Sequence, residues 1–271
     1  MVKFDMGAAW EDSVTLLKSH TALTGTIAAV FLFLPTLAVS WFGPAPIEPA
    51  AGATFQQMMT SFQESARQAI PYQLLVAVIA AIGGVGILRL WLSRSSVSVG
   101  DALAFAFKMI PTMIAVQFLM GLAVGLVAVV LIVPGAALGG APGMLLLFVG
   151  LIAFIALCAY LWGRVAVAPA LIADRIQYNP AAVLQESWSL TRGNGWRIFL
   201  FLFLVTLVVG IAGLIVGLIV GAIGGTGEGA GRMLMGLAEA GFAAISGIVT
   251  LAISAAAYRQ LSVGGASDIF Q

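Results

Sequence analysis

Two ionisable residues stand inside long apolar stretches of this chain, Arg164 and Glu239. A charge held within hydrocarbon is costly, so such residues mark an ion path, a proton relay or an anchor. Arg164 falls roughly 20 residues into its stretch, which puts it near the far interface of a helix crossing ~30 Å of hydrocarbon. There it can snorkel to lipid headgroups or anchor neighbouring surface helices. Glu239 falls about two turns into a later stretch, near the opposite interface. It is either a proton or cation site, or a hydrated or protonated carboxyl. The two residues are therefore not expected to pair. Arg175, Arg192 and Arg197 crowd around Trp188 and Trp196. Guanidinium groups beside indoles at a membrane surface suit anionic phosphates. Arg164, Arg175, Trp188, Arg192, Trp196 and Arg197 are thus the candidates for headgroup contact, although retention of Lys and Arg on the cytoplasmic side would leave cations there in any case.

Other chemistry is poorly served. His20 is the only histidine and Cys158 the only cysteine. No Ser-His-acid set, HExxH pair or cluster of carboxylates stands out, and only Glu11 and Asp12 are adjacent acids. The glycine-rich Gly224 to Gly231 segment has no lysine and no preceding strand pattern, so it is no nucleotide loop. The expectation is a protein with no enzymatic activity, no cofactor and no metal. It should have no nucleic-acid partner, since the net charge is +1.

The elements that position these residues are helices. Hydrophobic residues make up 61% of 271 and charged ones 8%, against about 25% charged in a soluble domain. An all-α integral membrane protein follows, with six spans near 21–42, 70–92, 111–133, 144–168, 196–222 and 232–260. The fourth is expected to continue past Pro169 to about Ala173, and Pro71 to open the second in a permitted first-turn position. Three half-polar segments precede odd-numbered spans. In residues 1–20, Trp10, Val14 and Leu17 form an apolar stripe opposite Glu11, Asp12, Thr15 and Lys18, as in a helix lying in the interface. Residues 99–110 and 181–191 are the other two. Pro44, Pro46 and Pro49 break residues 43–69, where 55–69 fits a short amphipathic helix. Trp41 suits an interfacial position.

Counting Lys and Arg by connection gives orientation. Lys3, Lys18, Arg89, Arg94, Lys108, Arg164, Arg175, Arg192, Arg197 and Arg259 fall on one side, and Arg67 and Arg232 on the other. Both termini are therefore expected in the cytoplasm. The N-terminal stretch has acids before its first apolar run and no small-residue cleavage site, unlike a signal peptide.

Glu11 to His20 (EDSVTLLKSH) parallels Gln185 to Asn194 (QESWSLTRGN) at an offset of 174, and Ala104 to Phe107 fits over Ser187 to Leu190 at an offset of 83. Three parallel repeats follow, near 1–92, 93–173 and 174–271, each a cytoplasmic amphipathic helix plus a two-helix hairpin. Gly121 and Gly125, and Gly213, Gly217, Gly221 and Gly225, recur every four residues, as in a glycine zipper. Lipid gives helices no hydrophobic reason to associate, so small residues that admit close approach mark packing in the bundle, an oligomer contact or a place for a lipid tail.

Ser187, Trp188, Leu190, Thr191, Gly193 and Asn194 spell S-W-x-L-T-x-G-N ahead of the fifth span. Over about 30 residues this region resembles YciC-type bacterial inner-membrane proteins and the membrane domain attached to some glycerophosphodiester phosphodiesterases. The resemblance implies a six-span protein of the bacterial inner membrane and supplies no catalytic residue. It carries over no phosphodiesterase activity, because that soluble domain is absent. The expected function is lipid interaction: organising, sensing or transferring membrane lipid, or assisting a lipid-active partner. A small-solute transporter or channel is one alternative, disfavoured by the scarcity of polar groups at mid-membrane. A structural accessory subunit, as a homo-oligomer or in a larger membrane complex, is the other.

Overall fold

A computed structural model describes residues 3–19, 21–45, 47, 52–93, 97–224 and 229–267. His20, Pro46, Pro49, Arg94 and Gly225, all singled out above, lie outside the described residues. Every regular element among the described residues is helical. In order these are α1 (Met6–Lys18), α2 (Thr21–Ala28), a π-helical turn (Ala29–Phe33), α3 (Leu34–Phe42), α4 (Phe55–Leu92), α5 (Val99–Leu138), α6 (Gly140–Val165), α7 (Ala168–Arg175), α8 (Pro180–Leu190), α9 (Gly195–Gly224) and α10 (Ala230–Ser267). Among the described residues six stretches are long and apolar enough to cross a membrane: Thr21–Phe42, Gln56–Leu92, Val99–Leu138, Gly140–Arg175, Gly195–Gly224 and Ala230–Ser262. Six is the number expected, and it is the make-up of a multi-pass membrane protein.

The limits of the helices differ from expectation in three places. Residues 55–69 and 70–92 form one helix, α4, with Pro71 in its interior. Residues 99–110 are not a separate surface helix but the first turns of α5, which passes Pro111 and Pro134 without ending. At about 1.5 Å per residue the 40 residues of α5 extend well beyond ~30 Å of hydrocarbon. The fourth span instead breaks. Proline has no N–H to bond Val165 and its ring would meet that carbonyl, so α6 stops at Val165 and Pro169 sits in the first turn of α7. Five of the eight residues of α7 are buried, all of them apolar, and only its last two positions, Asp174 and Arg175, are charged. Ile176 ends it with φ 54, a left-handed conformation that costs an L residue about 1–2 kcal/mol.

The chain packs as two compact units. One comprises Met1–His20, Val85–Leu207 and Val249–Gln271, the other Thr21–Gly84 and Val208–Ile248. The residues that sequence counting assigned to the cytoplasmic side, ten of the twelve Lys and Arg, all belong to the first unit.

Within the first unit α1, α5 and α8 begin alike. Asp5 accepts from the N–H groups of Gly7 (2.8 Å) and Ala8 (3.1 Å), Ser98 from Asp101 (3.1 Å), and Asn179 from Ala181 (3.0 Å) and Ala182 (3.3 Å). Each satisfies N–H groups that a helix start leaves without a partner. Four and eight residues after each cap the side chain is fully buried: Ala9 and Ser13, Ala102 and Ala106, Val183 and Ser187. The caps place Ala106, not Ala104, in the position of Ser187, two residues from the register expected of the middle segment. In α1 the buried face is Ala9, Ser13 and Leu16, whereas Trp10 is 48% exposed and Val14 and Leu17 are only partly covered. The apolar stripe read from the sequence is therefore the outward one, about 100° around the helix from the docked face.

In the second unit the π turn is wedged between two helices. Leu34 N–H bonds Ala29, one residue further back than in an α-helix, and Pro35 follows at once. Gly83 of α4 meets Phe31, and Gly247 of α10 meets Leu32, where an added Cβ would come within 3.3 Å of Cδ1. Gly213 of α9 lies against the ring of Phe242.

The close approach that small residues permit occurs chiefly at glycines outside the regular stripes. In the α5–α6 hairpin a Cβ on Gly135 would lie 2.8 Å from Leu147 Cα, and one on Gly150 would overlap the Leu131 carbonyl. Of the expected packing glycines, Gly213 packs, Gly221 only reaches Met235 at 4.0 Å, and Gly121, Gly125 and Gly217 have nothing within 4 Å of a Cβ position. Spacing by four identifies a stripe but not the helix that faces it. Overpacking costs about 1–3 kcal/mol, and more when backbone must move. Gly150→Val is therefore expected to lower the thermal unfolding midpoint of the detergent-solubilised chain clearly, and Gly121→Val to leave it nearly unchanged. Equal shifts for the two variants would contradict this packing.

Candidate functional site

The residues of the S-W-x-L-T-x-G-N segment converge on the end of α6. The last carbonyls of a helix have no partner within it. Here Arg164 C=O accepts from Ser187 Oγ (2.9 Å), and the buried Thr191 Oγ1, whose shorter bond is to Ser187 C=O (2.7 Å), stands 3.1 Å from the same oxygen. One turn of α8 is thereby fastened to the terminus of α6. Further along, Ala166 C=O accepts from Ser254 (2.6 Å), Ala173 C=O from Arg89 (2.8 Å) and Tyr178 C=O from Thr112 (2.9 Å). The carbonyls at the break before α7 and at and beyond its end are thus met by donors from four helices.

Beyond α8 the chain must turn sharply into α9. Gly193 does so with φ 78, where a side chain would be strained. Asn194 is buried and accepts from Phe4 N–H (2.9 Å), tying in the N-terminal strand of chain, and the Phe4 ring packs 5.9 Å from that of Phe201. Gly195 then crosses α6 with no room for a side chain. A Cβ there would come 2.8 Å from Arg164 Cδ, and one on Gly163 would strike the Gly195 carbonyl and lie 2.9 Å from Phe199 Cβ. Leu190 is half-buried on α8.

This crossing seats the Arg164 side chain. The residue is 3% exposed. Its guanidinium carbon lies 4.3 Å from the centre of the Trp188 ring and 5.8 Å from that of Tyr160. Tyr160 in turn contacts Trp188 edge-on and Trp196, both with centroids at 5.9 Å, and Trp196 meets Phe199 at 5.7 Å. A desolvated cation over an indole gains about 2 kcal/mol. Among the described residues no hydrogen bond or ion pair reaches this guanidinium, and its Nε is buried with no acceptor. Arg164 therefore does not snorkel outward as an exposed group. It is held inside.

The other candidates divide. Arg175 is exposed but engaged: it pairs with Glu186 and bonds Tyr258 Oη (3.3 Å), which donates to Asp174 (2.7 Å). Arg259 pairs with Asp12 (2.9 Å), joining α10 to α1. Arg192 and Arg197 are exposed, and their guanidinium groups form no hydrogen bond or ion pair with another described residue. Trp188 and Trp196 are 42% and 54% exposed. The sequence grouped Arg164 with Trp188 but did not foresee their stacking, nor Tyr160, Gly163, Gly195, Phe4, Asp174, Glu186 and Tyr258. A glycine directly before a basic residue at a helix break, and a second glycine two places after the turn glycine, were the available signals.

In the second unit Glu239 is exposed and accepts from Ser40 (3.0 Å). Around it Arg232 donates to the carbonyls of Ser40 (3.1 Å) and Gly43 (2.8 Å), and Trp41 Nε1 donates to Met233 C=O (3.1 Å). Glu239 belongs to the joint between α3 and α10. Among the described residues no three His, Cys, Asp or Glu side chains are gathered as a metal site requires.

Comparisons with protein-family models, with curated proteins and with solved structures find no match to this chain.

Two hydroxyls within reach of one buried carbonyl provide redundancy, because the Thr191 hydrogen can turn from Ser187 C=O to Arg164 C=O when Ser187 Oγ is lost. Removing one leaves the carbonyl satisfied; removing both leaves it unpaired, which costs about 1–3 kcal/mol. Ser187→Ala and Thr191→Val are each expected to be mild, and the double variant to lose about 1 kcal/mol or more beyond their sum. Additive losses in reversible unfolding would show that these bonds do not hold α8 to α6.

Proposed function

We propose that this chain is a non-enzymatic, lipid-interacting protein of the bacterial inner membrane, with both termini in the cytoplasm. The observation that carries this reading is the asymmetry of charge: ten of the twelve basic residues fall at the two termini and in the second-to-third and fourth-to-fifth connections, the bias that marks a cytoplasmic face. On the first unit Arg192, Arg197, Trp10, Trp188 and Trp196 are exposed together. Exposed cations near a leaflet rich in anionic lipid gain about 1 kcal/mol each, and indoles favour the same depth. The like caps and like buried positions of α1, α5 and α8 favour three parallel repeats, and the S-W-x-L-T-x-G-N segment favours kinship with YciC-type proteins.

Lipids carried through purification in mild detergent test this directly. Phosphatidylglycerol or cardiolipin should be enriched over the host membrane extract by mass spectrometry, and the enrichment should fall in Arg192→Gln/Arg197→Gln. A lipid profile equal to the bulk extract, the same in wild type and variant, would remove the proposal.

A second reading, an accessory subunit, is favoured by α5 and α6. The apolar windows of these spans are 6% buried, against 44% for those of α4 and α10. If it holds, native mass measurement in a detergent that preserves complexes finds a species heavier than one chain; a monomer alone counts against it.

A further inference from the structure

We propose that Arg164 is the binding residue for a phosphate group, with Trp188 as its cover, and that the phosphate is the phosphodiester of an anionic phospholipid headgroup. This rests on the lipid-interacting reading and adds to it a single defined site.

The argument begins with an imbalance of charge. Arg164 is almost wholly buried, and among the described residues no carboxylate or carbonyl accepts from it. The charged side chain that acts on it is Arg192, another cation. Carboxylates stand on the neighbouring helices α7 and α8, yet both are committed elsewhere: Asp174 to Tyr258, and Glu186 to Arg175. The other basic residues that are drawn into this unit are answered: Arg89 by the Ala173 carbonyl and the Phe105 ring, Arg259 by Asp12. Arg164 alone of these has only aromatic faces. A buried cation without a hydrogen-bonded counter-charge is strongly destabilising, and two ring contacts offset only part of that. The fold nonetheless builds a seat for it: Gly163 and Gly195 give up their side chains so that α6 and α9 can cross there, and Ser187 and Thr191 fasten the backbone of Arg164 itself.

An anion supplied from outside completes the balance. The planar guanidinium matches two phosphate oxygens at once, which an ammonium cannot do. The Trp188 ring lies over the guanidinium with its outer part exposed, so rotation of this one side chain uncovers the charge. Arg192, exposed and like-charged, draws the anion in. Trp196 and Tyr160 border the same place, and an apolar, aromatic rim suits a headgroup still attached to its acyl chains.

The test is calorimetric titration of the full chain in detergent micelles with dihexanoyl phosphatidylglycerol, dihexanoyl phosphocholine and inorganic phosphate. Wild type should bind phosphatidylglycerol saturably with one site per chain, and more tightly than the other two. Arg164→Gln should weaken it by about tenfold or more, the loss of a charge-assisted contact, and Arg164→Lys by less. Arg67→Gln, the same charge loss in the other unit, should bind as wild type does. Trp188→Ala should bind at least as tightly as wild type, because a cover is not a ligand. Wild-type affinity in both Arg164 variants overturns the site while lipid enrichment of the purified protein still upholds the broader reading; absence of any enrichment in wild type sinks that reading instead. If Arg164→Gln does not fold, undiminished affinity in Arg164→Lys overturns the site. Loss of binding in Trp188→Ala also overturns it, and equal binding of inorganic phosphate overturns the lipid source.

Discussion

Backbone carbonyls released where a membrane-spanning helix stops are the constraint on which this structure turns. In an apolar surrounding each unpaired carbonyl costs several kcal/mol, so a helix cannot break inside such a protein unless side chains from elsewhere take over. The break after Val165 draws Ser187 and Thr191 to Arg164 and Ser254 to Ala166, and the end of α7 draws Arg89 to Ala173 and Thr112 to Tyr178. In the other unit Arg232 does the same for Ser40 and Gly43. These few polar contacts set which helices must meet, and the apolar residues fill in around them. The C-terminal end of the largely buried α7 is answered in this way, by Arg89 on the Ala173 carbonyl.

Much of the fold was legible because hydropathy over twenty or more residues survives any detail of packing. The six spans are of that kind. What failed was local punctuation. Pro71, Pro111 and Pro169 have the same effect on hydrogen bonding, yet only the last stands at the end of a helix, where donors from other helices meet the neighbouring Arg164 and Ala166 carbonyls. Periodicity revealed an apolar stripe on α1 but not that a second, smaller face of Ala9, Ser13 and Leu16 is the one that docks. Small residues bury as readily as large ones when a neighbour comes close, and hydrophobicity scales understate them. The glycine stripes show the same blindness, because spacing along one helix carries no information about the other.

The candidate site was legible by residue type and not by partnership. Arginines and tryptophans near a span end were visible at once as a group. Which of them is free, which is neutralised and which is enclosed depends on where Glu186, Asp174, Tyr258 and Asp12 arrive from distant parts of the chain. Arg175 and Arg164 look equivalent on paper, eleven positions apart in the same basic stretch. One ends in a network with a carboxylate and a phenol; the other ends under an indole. The difference arises from a single crossing of two glycines, Gly163 and Gly195.

The π turn at Ala29–Phe33 has its own consequence for how this chain tolerates change. Such a turn holds one residue more than the α-helical pitch needs, so everything beyond it is rotated by about 100° relative to an uninterrupted helix. A one-residue deletion within Ala29–Phe33 can be absorbed as the turn tightens to ordinary pitch, leaving Trp41 and Ser40 facing their present partners on α10. The same deletion a few positions later would swing both away. Length variation in this span should therefore be phased, permitted at one place and forbidden on either side of it.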